Sequence, residues 1–324
     1  MTALNKLAGF DLIQTNYKHV GDHGIRADLL VPQTPVPGKR PVIVRFHGGG
    51  LMTGDSLFLD WLPEWLLELA AKHNAVIISP NYRLLPEATS LELFDDIEDF
   101  WSWLHSSAVT DLLASQSTPT ELDLDRVLTT GDSAGGLLSV CVALAHPDEI
   151  RAATAAYPCI DMGSPHFREP RTTPIFDQIF SHDAVEEHLA QMKPGDIVSS
   201  SPIPMRLPLM FSAAQNGDLH RFYERNTEAD PRRELRYPFE RLDQPGVRIP
   251  RGGISIFHGI QDSVVPVDGS EKFVAKARGA FKGQPGGDNI VLTLRDGEHG
   301  FDNGVHLDEW VGEAIAVAVE SWLE

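Results

Sequence analysis

Residues 127–136 read Val-Leu-Thr-Thr-Gly-Asp-Ser-Ala-Gly-Gly, and this stretch decides the predicted fold. The apolar run 127–130 is typical of a buried strand, and residues 137–144 have the apolar pattern of a helix. Ser133 stands between them in a Gly-x-Ser-x-Gly motif, whose glycines leave room for a sharp turn from strand to helix. A serine hydroxyl is a weak nucleophile unless such a turn exposes it to a base. Ser133 is therefore the candidate nucleophile.

The rest of the chain alternates short β-rich segments with helical patterns. This alternation predicts an α/β protein with a mainly parallel eight-stranded sheet and helices on both faces. Residues 21–24, Gly-Asp-His-Gly, predict the turn of an opening antiparallel hairpin. We expect strands at residues 10–18, 25–31, 41–46, 75–79, 126–130, 151–157, 253–257 and 290–295. We expect the main helices at residues 59–73, 91–105, 133–145, 269–280 and 308–323.

Residues 161–251 interrupt this alternation, because they are rich in proline and contain only short helical stretches, at 176–191 and 207–225. We interpret them as a cap inserted after the sixth strand rather than as an independent domain. The predicted organisation is a core of residues 1–160, the cap 161–251 and a second part of the core, 252–324.

Composition narrows the classes of partner. The formal net charge of −19 disfavours nucleic acids and anionic membrane surfaces, and its simplest role is solubility. Cys141 and Cys159 are too few for a disulfide framework, and neither a signal peptide nor a bilayer-spanning apolar run is visible. Metal motifs such as His-Glu-x-x-His or paired Cys-x-x-Cys do not occur. We therefore expect a cytoplasmic protein without a metal or another cofactor.

Residues 47–50, His-Gly-Gly-Gly, follow the predicted strand 41–46. Glycine N–H groups at a strand end can point at a developing oxyanion, and one such donor is worth about a hundred- to a thousand-fold in rate. A simple tight turn and a phosphate-binding loop are the alternatives. The phosphate loop is disfavoured because no Lys-Ser or Lys-Thr follows the glycines.

A serine nucleophile needs a histidine base, and that base needs a carboxylate. His299 follows the last predicted strand, and Asp262 lies in the loop after the strand 253–257. The chain order Ser133, Asp262, His299 is that of the α/β-hydrolase fold. His258 also follows a strand, but we expect it to be a structural neighbour of the acid.

Four blocks of the sequence resemble the hormone-sensitive-lipase-like branch of the α/β hydrolases, the alpha/beta hydrolase fold-3 group. They are residues 47–50, 81–87, 131–136 and 298–301, and their order and spacing match that family over residues 41–324. The resemblance implies an oxyanion hole formed by Gly49, Gly50 and the N–H of Ala134, with Gly48 making the turn. It also implies that Glu87 is a structural residue near the site.

The sequence departs from that family in two places. Many relatives have helices before the first strand that help to build the cap, whereas here the first strand begins near residue 10. The cap must then come mainly from residues 161–251. The substrate size of those relatives therefore cannot be transferred to this chain. The acid of many relatives stands in an Asp-Pro-Leu block, whereas residues 262–266 read Asp-Ser-Val-Val-Pro. Asp268 and Asp296 therefore remain alternative acids.

Together these residues predict a serine hydrolase that cleaves small carboxylic esters of short or medium acyl chain, as a monomer or a homodimer. An amidase or a tailoring hydrolase of secondary metabolism would use the same triad. A ligand-binding protein on this fold is disfavoured because the relatives with that role have lost the histidine that this chain keeps as His299. The cap side chains that could line the pocket or form the core of the cap are Phe167, Phe176, Phe180, Met205, Leu209, Met210, Phe211, Phe222 and Tyr223.

Overall fold

The computed structural model describes residues 6–230 and 232–324. In these ranges eight strands form one sheet in the order β1-β2-β4-β3-β5-β6-β7-β8. All eight predicted strands are confirmed, with ends that shift by a few residues. The strands are β1 (Phe10–Val20), β2 (His23–Pro32), β3 (Arg40–Phe46), β4 (Val76–Pro80), β5 (Leu122–Gly131), β6 (Ala152–Ala156), β7 (Ile254–Gly259) and β8 (Val291–Arg295).

The sheet is antiparallel at one edge and parallel elsewhere. β1 and β2 form the predicted hairpin, whose turn consists of Gly21 and Asp22 because Val20 pairs with His23. β2 is also antiparallel to β4, and every later pair is parallel. All seven residues of β3 are buried, as expected for a parallel strand that is covered on both faces. The carboxyl ends of β3, β5, β6, β7 and β8 therefore meet at one edge of the sheet.

Helices cover both faces, as predicted. The α-helices are α1 (Glu64–His73), α2 (Ser90–Leu104), α3 (Ser107–Ala114), α4 (Ala134–Ala145), α5 (Pro165–Arg168), α6 (Asp183–Gln191), α7 (Leu207–Asn216), α8 (Asp218–Tyr223), α9 (Pro238–Arg241), α10 (Val267–Ala280), α11 (Trp310–Ala314) and α12 (Ala316–Leu323). Helices α1, α11 and α12 pack in one apolar cluster with Ile43, Ile77 and Phe257. Helices α2, α4 and α10 pack in a second cluster with Val42, Val44 and Ile256.

Two of the predicted core helices are interrupted. Residues 59–73 form a 3₁₀ turn, Leu59–Trp61, and then α1, which begins after Pro63. Proline suits this place because the first N–H groups of a helix have no intrahelical partner. Residues 308–323 divide into α11 and α12 at Ile315. Helix α3 was not predicted.

The cap lies between β6 and β7 and contains α5 to α9 without adding a strand to the sheet. The helix predicted at 176–191 was wrong in its first half, because Phe176 and Asp177 have positive φ and only α6 is helical. The helix predicted at 207–225 breaks at Gly217, whose φ of 79° ends α7. A Cβ at Gly217 would lie 2.7 Å from the carbonyl oxygen of Arg168, so the break depends on glycine. The domain boundaries 160/161 and 251/252 stay predictions.

Glu87 joins the cap to the core. Its buried carboxylate accepts hydrogen bonds from Arg206 at 2.6 and 2.8 Å and lies 2.8 Å from Nε2 of His188. Arg225 donates to the carbonyl oxygens of Pro86, Glu87 and Ala88. These contacts agree with a structural role for Glu87.

The structure bears on two sequence-based expectations, those on membrane spans and on the cysteines. Among the described residues, no helix combines the length and the apolar character that a bilayer crossing needs. Cys141 and Cys159 are both buried and unpaired. Burial raises the pKa of Cys159 to about 12, so this thiol stays protonated and unreactive at neutral pH.

Candidate active site

Ser133 occupies the sharp turn that its motif predicts, between the end of β5 and the start of α4. Its φ of 54° and ψ of −117° are strained for a residue with a side chain. Two neighbouring glycines permit the turn: a Cβ at Gly131 would lie 2.2 Å from the carbonyl oxygen of Gly135, and one at Gly135 would lie 2.0 Å from that of Phe46. The N–H of Ser133 donates to the carbonyl oxygen of Ala156 at 2.9 Å. The turn is therefore fixed by close backbone packing.

Asp262 and His299 come together at the same edge of the sheet, although 37 residues separate them along the chain. They follow the neighbouring parallel strands β7 and β8, and Nδ1 of His299 lies 2.7 Å from Oδ2 of Asp262. Because an ionised carboxylate only accepts hydrogen bonds, Nδ1 carries the proton and Nε2 is left as an acceptor. This is the tautomer that a general base needs.

The carboxylate of Asp262 is fully buried and remains ionised. Burial by itself raises the pKa of Asp262, but the positive charge of His299 in its protonated form and hydrogen bonds from His258, His299 and the N–H of Val265 outweigh it. The net effect holds this pKa well below its usual range. Oδ1 accepts the N–H groups of Val264 and Val265 at 2.9 and 2.8 Å, which leaves Oδ2 for the histidine.

His258 lies beside Asp262, the neighbourhood that the sequence predicts for it. Its side chain is fully buried, with Nε2 at 3.0 Å from the carbonyl oxygen of Val265 and 3.4 Å from Oδ2 of Asp262. Its Nδ1 lies 2.8 Å from the hydroxyl of Ser270. The alternative acids lie elsewhere: Asp268 pairs with Lys272, and Asp296 accepts a hydrogen bond from Gln261.

Ser133 and His299 line one cavity of about 380 Å³. Their side chains make no hydrogen bond to each other in the described chain, and catalytic hydrogen bonds often tighten only when substrate binds. Most of the wall is apolar, and its charged groups come from the site itself rather than from lysine, arginine or glutamate. The cavity therefore suits an uncharged molecule.

The wall of the cavity comes from both the cap and the core. Of the nine cap side chains considered from the sequence, four line the cavity: Phe167, Phe176, Met210 and Phe211. Leu209, Phe222 and Tyr223 are buried in the core, Phe180 stacks on Phe211 at 4.9 Å, and Met205 is exposed. Sequence reasoning missed Trp61, Tyr157 and Asn303, which line the cavity from the core. Only Tyr157 gave a usable signal, because it directly follows β6.

The glycines at the end of β3 also lie at the cavity. Gly49 has φ +105° and Gly50 has φ +61°, and both line the wall beside Ser133. The N–H of Ala134 is the first of α4, where a helix offers donors without an intrahelical partner. Of the three residues predicted as donors, Gly49 and Gly50 line the cavity, and Ala134 directly follows Ser133, which lines it as well.

Asp132 connects the turn of Ser133 to this glycine segment, and its role was missed in the sequence. Its carboxylate accepts from Arg45 at 2.9 Å and from the N–H of Gly48 at 3.1 Å. A Cβ at Gly48 would lie 2.4 Å from that carboxylate, so a side chain there would have to displace Asp132. Burial raises the pKa of Asp132, and Arg45 opposes this effect.

His47 contacts the first residue of the glycine segment, residues 48–50. The side chain is buried, its Nδ1 lies 2.8 Å from the carbonyl oxygen of Gly48, and the ring stacks on Tyr82 at 4.4 Å. Burial lowers the pKa of His47 to about 4. The folded protein therefore holds this histidine neutral.

We expect His47 to make the protein less stable in mild acid. Between pH 6.5, where an unfolded histidine titrates, and pH 4, His47 is protonated in the unfolded chain but stays neutral in the folded chain. As the pH decreases through this window, the free energy of unfolding should decrease by at most about 1.4 kcal/mol per pH unit because of this residue. Urea unfolding of the wild type and of His47→Gln from pH 7.5 to 4.5 checks this. Parallel pH dependences for the two proteins would contradict it.

Comparison with known proteins agrees with this architecture. A family model described as alpha/beta hydrolase fold matches residues 43–210. Probable carboxylesterase M8 of Phoma sp. (strain ATCC 20986 / MF5453) is 31% identical over 98% of both chains. Probable carboxylesterase clz11 of Cochliobolus lunatus is 34% identical over 62% of this chain and 92% of its own length.

A solved structure supports the fold independently. An esterase of Rhizomucor miehei superposes with a TM-score of 0.61 at 18% identity, over 99% of this chain and 84% of that one. At this identity the likeness concerns the fold alone. The family match and the full-length relative show that this chain belongs to the alpha/beta hydrolase fold-3 family, the hormone-sensitive-lipase-like branch that its four motifs resemble.

Proposed function

We propose that this chain is a serine carboxylesterase. The observation that carries the proposal is the hydrogen bond of His299 to the buried Asp262, at the edge of the cavity that Ser133 lines. The names of the relatives from Phoma and Cochliobolus, both probable carboxylesterases, support the same activity.

In the proposed mechanism Ser133 Oγ attacks the acyl carbon while Nε2 of His299 accepts its proton. Asp262 keeps the proton of His299 on Nδ1 and stabilises the imidazolium that forms. The N–H groups of Gly49, Gly50 and Ala134 would stabilise the oxyanion. The imidazolium then protonates the leaving alcohol, and an acyl-enzyme on Ser133 remains. Water, deprotonated by His299, releases the acid and restores the serine.

The proposed substrate is a small, uncharged ester of short or medium acyl chain. A cavity of about 380 Å³ lies near the lower end of the range of about 300 to 1,000 Å³ that small-molecule pockets occupy. A charged substrate would lose its hydration, and the carboxylate that lines this wall, that of Asp132, is already paired with Arg45. The proposed chemistry uses only groups of the protein and water, so it needs no cofactor.

The first test is hydrolysis of p-nitrophenyl esters from acetate to palmitate, together with labelling by an organophosphonate. We expect activity that falls with the longer chains, and mass spectrometry should find the phosphonate on Ser133. A p-nitroanilide of the best acyl group separates an esterase from an amidase. A protein that cleaves no ester and takes no label would contradict the proposal.

The oxyanion role of Gly49 leads to a paired test with its neighbour. A Cβ at Gly49 would lie 2.1 Å from the backbone oxygen of Thr53, whereas one at Gly50 meets the flexible side chain of Met210 at 2.9 Å. We expect Gly49→Ala to displace the segment and to lower kcat by about a hundred-fold or more, and Gly50→Ala to cost less. Both values of kcat are measured with their thermal midpoints. A Gly49→Ala variant with the kcat of the wild type would exclude this donor.

We further propose that the enzyme acts in the cytoplasm as a monomer or a homodimer, without a nucleic-acid partner. The formal net charge of −19 supports the last point, since phosphates would be repelled. The two unpaired cysteines suit a reducing compartment. Light scattering on the purified protein distinguishes the two assembly states.

A further inference from the structure

A second carboxylate, that of Glu298, ties together the loops that carry Asp262 and His299. Its Oε1 accepts the N–H of Ser263 at 2.6 Å and the N–H of His299 at 2.8 Å. Hydrogen bonds to an ionised carboxylate are stronger than those between neutral groups. One oxygen therefore links the residue after the acid to the backbone of the base.

This link closes a ring around the acid–base pair. Three successive N–H groups after Asp262 point at carboxylates: that of Ser263 at Glu298, and those of Val264 and Val265 at Oδ1 of Asp262. The ring runs from Asp262 through the N–H of Ser263 to Glu298, on to His299, and back through the 2.7 Å contact between Nδ1 and Oδ2. The position of the imidazole thus depends on two connections rather than one.

We propose that Glu298 is a positioning residue, which holds the backbone of His299 so that the imidazole meets both Asp262 and Ser133. The inference rests on the proposed function, because it assigns no role without the serine mechanism. Displacing a catalytic group by about 1 Å costs up to about a hundred-fold in rate. Loss of the link should therefore act on the chemical step rather than on substrate binding.

The two loops have another connection that keeps them together when Glu298 is changed. The side-chain oxygen of Gln261 accepts the N–H of Gly297 at 2.6 Å, and the N–H of Gln261 donates to the carbonyl oxygen of Gly297 at 3.1 Å. These bonds hold the chain just before Glu298. We expect the loops to stay folded in a Glu298 variant, with the local change limited to His299.

Three substitutions of Glu298 test separately whether the position of its acceptor oxygen or its negative charge matters. Glu298→Ala removes the acceptor, Glu298→Asp keeps the charge but withdraws the oxygen by one methylene, and Glu298→Gln keeps an oxygen at the same reach. We expect kcat to fall by about 10- to 100-fold in the first two, with KM within about twofold of the wild type. Glu298→Gln should retain most of the activity. Asp296→Ala is the matched control, because this exposed carboxylate on the same loop accepts its hydrogen bond from Gln261 and not from the N–H of Ser263 or His299.

The measurement is kcat and KM for p-nitrophenyl butyrate, per site titrated with the organophosphonate, so that any unfolded fraction is excluded. If Glu298→Ala does not fold, the comparison of Glu298→Asp with Glu298→Gln carries the test. Glu298→Ala with unchanged kcat, or Glu298→Asp and Glu298→Gln with equal losses, would overturn the positioning role while the wild type remains an active esterase. A wild type that cleaves no ester and takes no label would instead refute the proposed function, and this inference with it.

Discussion

Ser133→Ala is expected to lower kcat for p-nitrophenyl butyrate by about 10⁴- to 10⁶-fold. The substitution removes the only atom that can form the acyl-enzyme in the proposed mechanism, whereas the cavity and the N–H donors of the glycine segment remain. Those donors leave a residual acceleration over water, so the loss is large but finite. The sharp turn depends on the neighbouring glycines, and the variant should therefore fold like the wild type.

The matched control for this substitution is Ser139→Ala. Ser139 is a fully buried serine on α4, the helix that follows Ser133, and its hydroxyl donates to the carbonyl oxygen of Thr154 at 2.9 Å. Removing it leaves a buried acceptor without its donor, so we expect a lower thermal midpoint and an almost unchanged kcat. The two variants thus separate chemistry from stability. A Ser133→Ala protein that kept more than about a hundredth of the activity would exclude Ser133 as the nucleophile.

The sheet could be predicted from the sequence because its determinants are local. A buried parallel strand such as β3 contains a short apolar run, residues 42–44, and this pattern is visible without any knowledge of its neighbours. The turn at Ser133 is equally local, since the glycines that permit it lie within two residues of the serine. Chain order then indicated which edge of the sheet would bring Asp262 and His299 together.

The cap and the supporting contacts could not be predicted, because they depend on residues distant in sequence. Gly217 ends a helix where the backbone of Arg168 approaches it. The sequence near residue 217 does not predict that contact. The ion pair between Arg45 and Asp132 joins two residues that are 87 positions apart in the sequence. Glu298 belongs to a quoted motif, but its link to Ser263 exists only once the loops after β7 and β8 lie side by side.

Asp262→Asn is expected to lower kcat by about 10⁴-fold, comparable to the loss of the same kind of group in serine proteases. The amide places an N–H opposite Nδ1 of His299, which favours the tautomer with its proton on Nε2. That tautomer cannot accept the proton of Ser133. The lost charge also removes the stabilisation of the imidazolium. Because the pKa of Asp262 is held well below its usual range, the wild type keeps its carboxylate at every practical assay pH.

The controls are Asp268→Asn and Asp296→Asn, the two other acids that the sequence allows. Asp268 is exposed and pairs with Lys272 at 2.5 Å, and Asp296 accepts a hydrogen bond from Gln261, so both should keep kcat within about twofold. Values of kcat between pH 6 and 9 should show the loss in Asp262→Asn at every pH, since a wrong tautomer is not repaired by titration. A comparable loss in either control, or an Asp262→Asn protein that keeps a tenth of the activity, would move the acid away from Asp262. The contact between Nδ1 and Oδ2 would then be structural rather than catalytic.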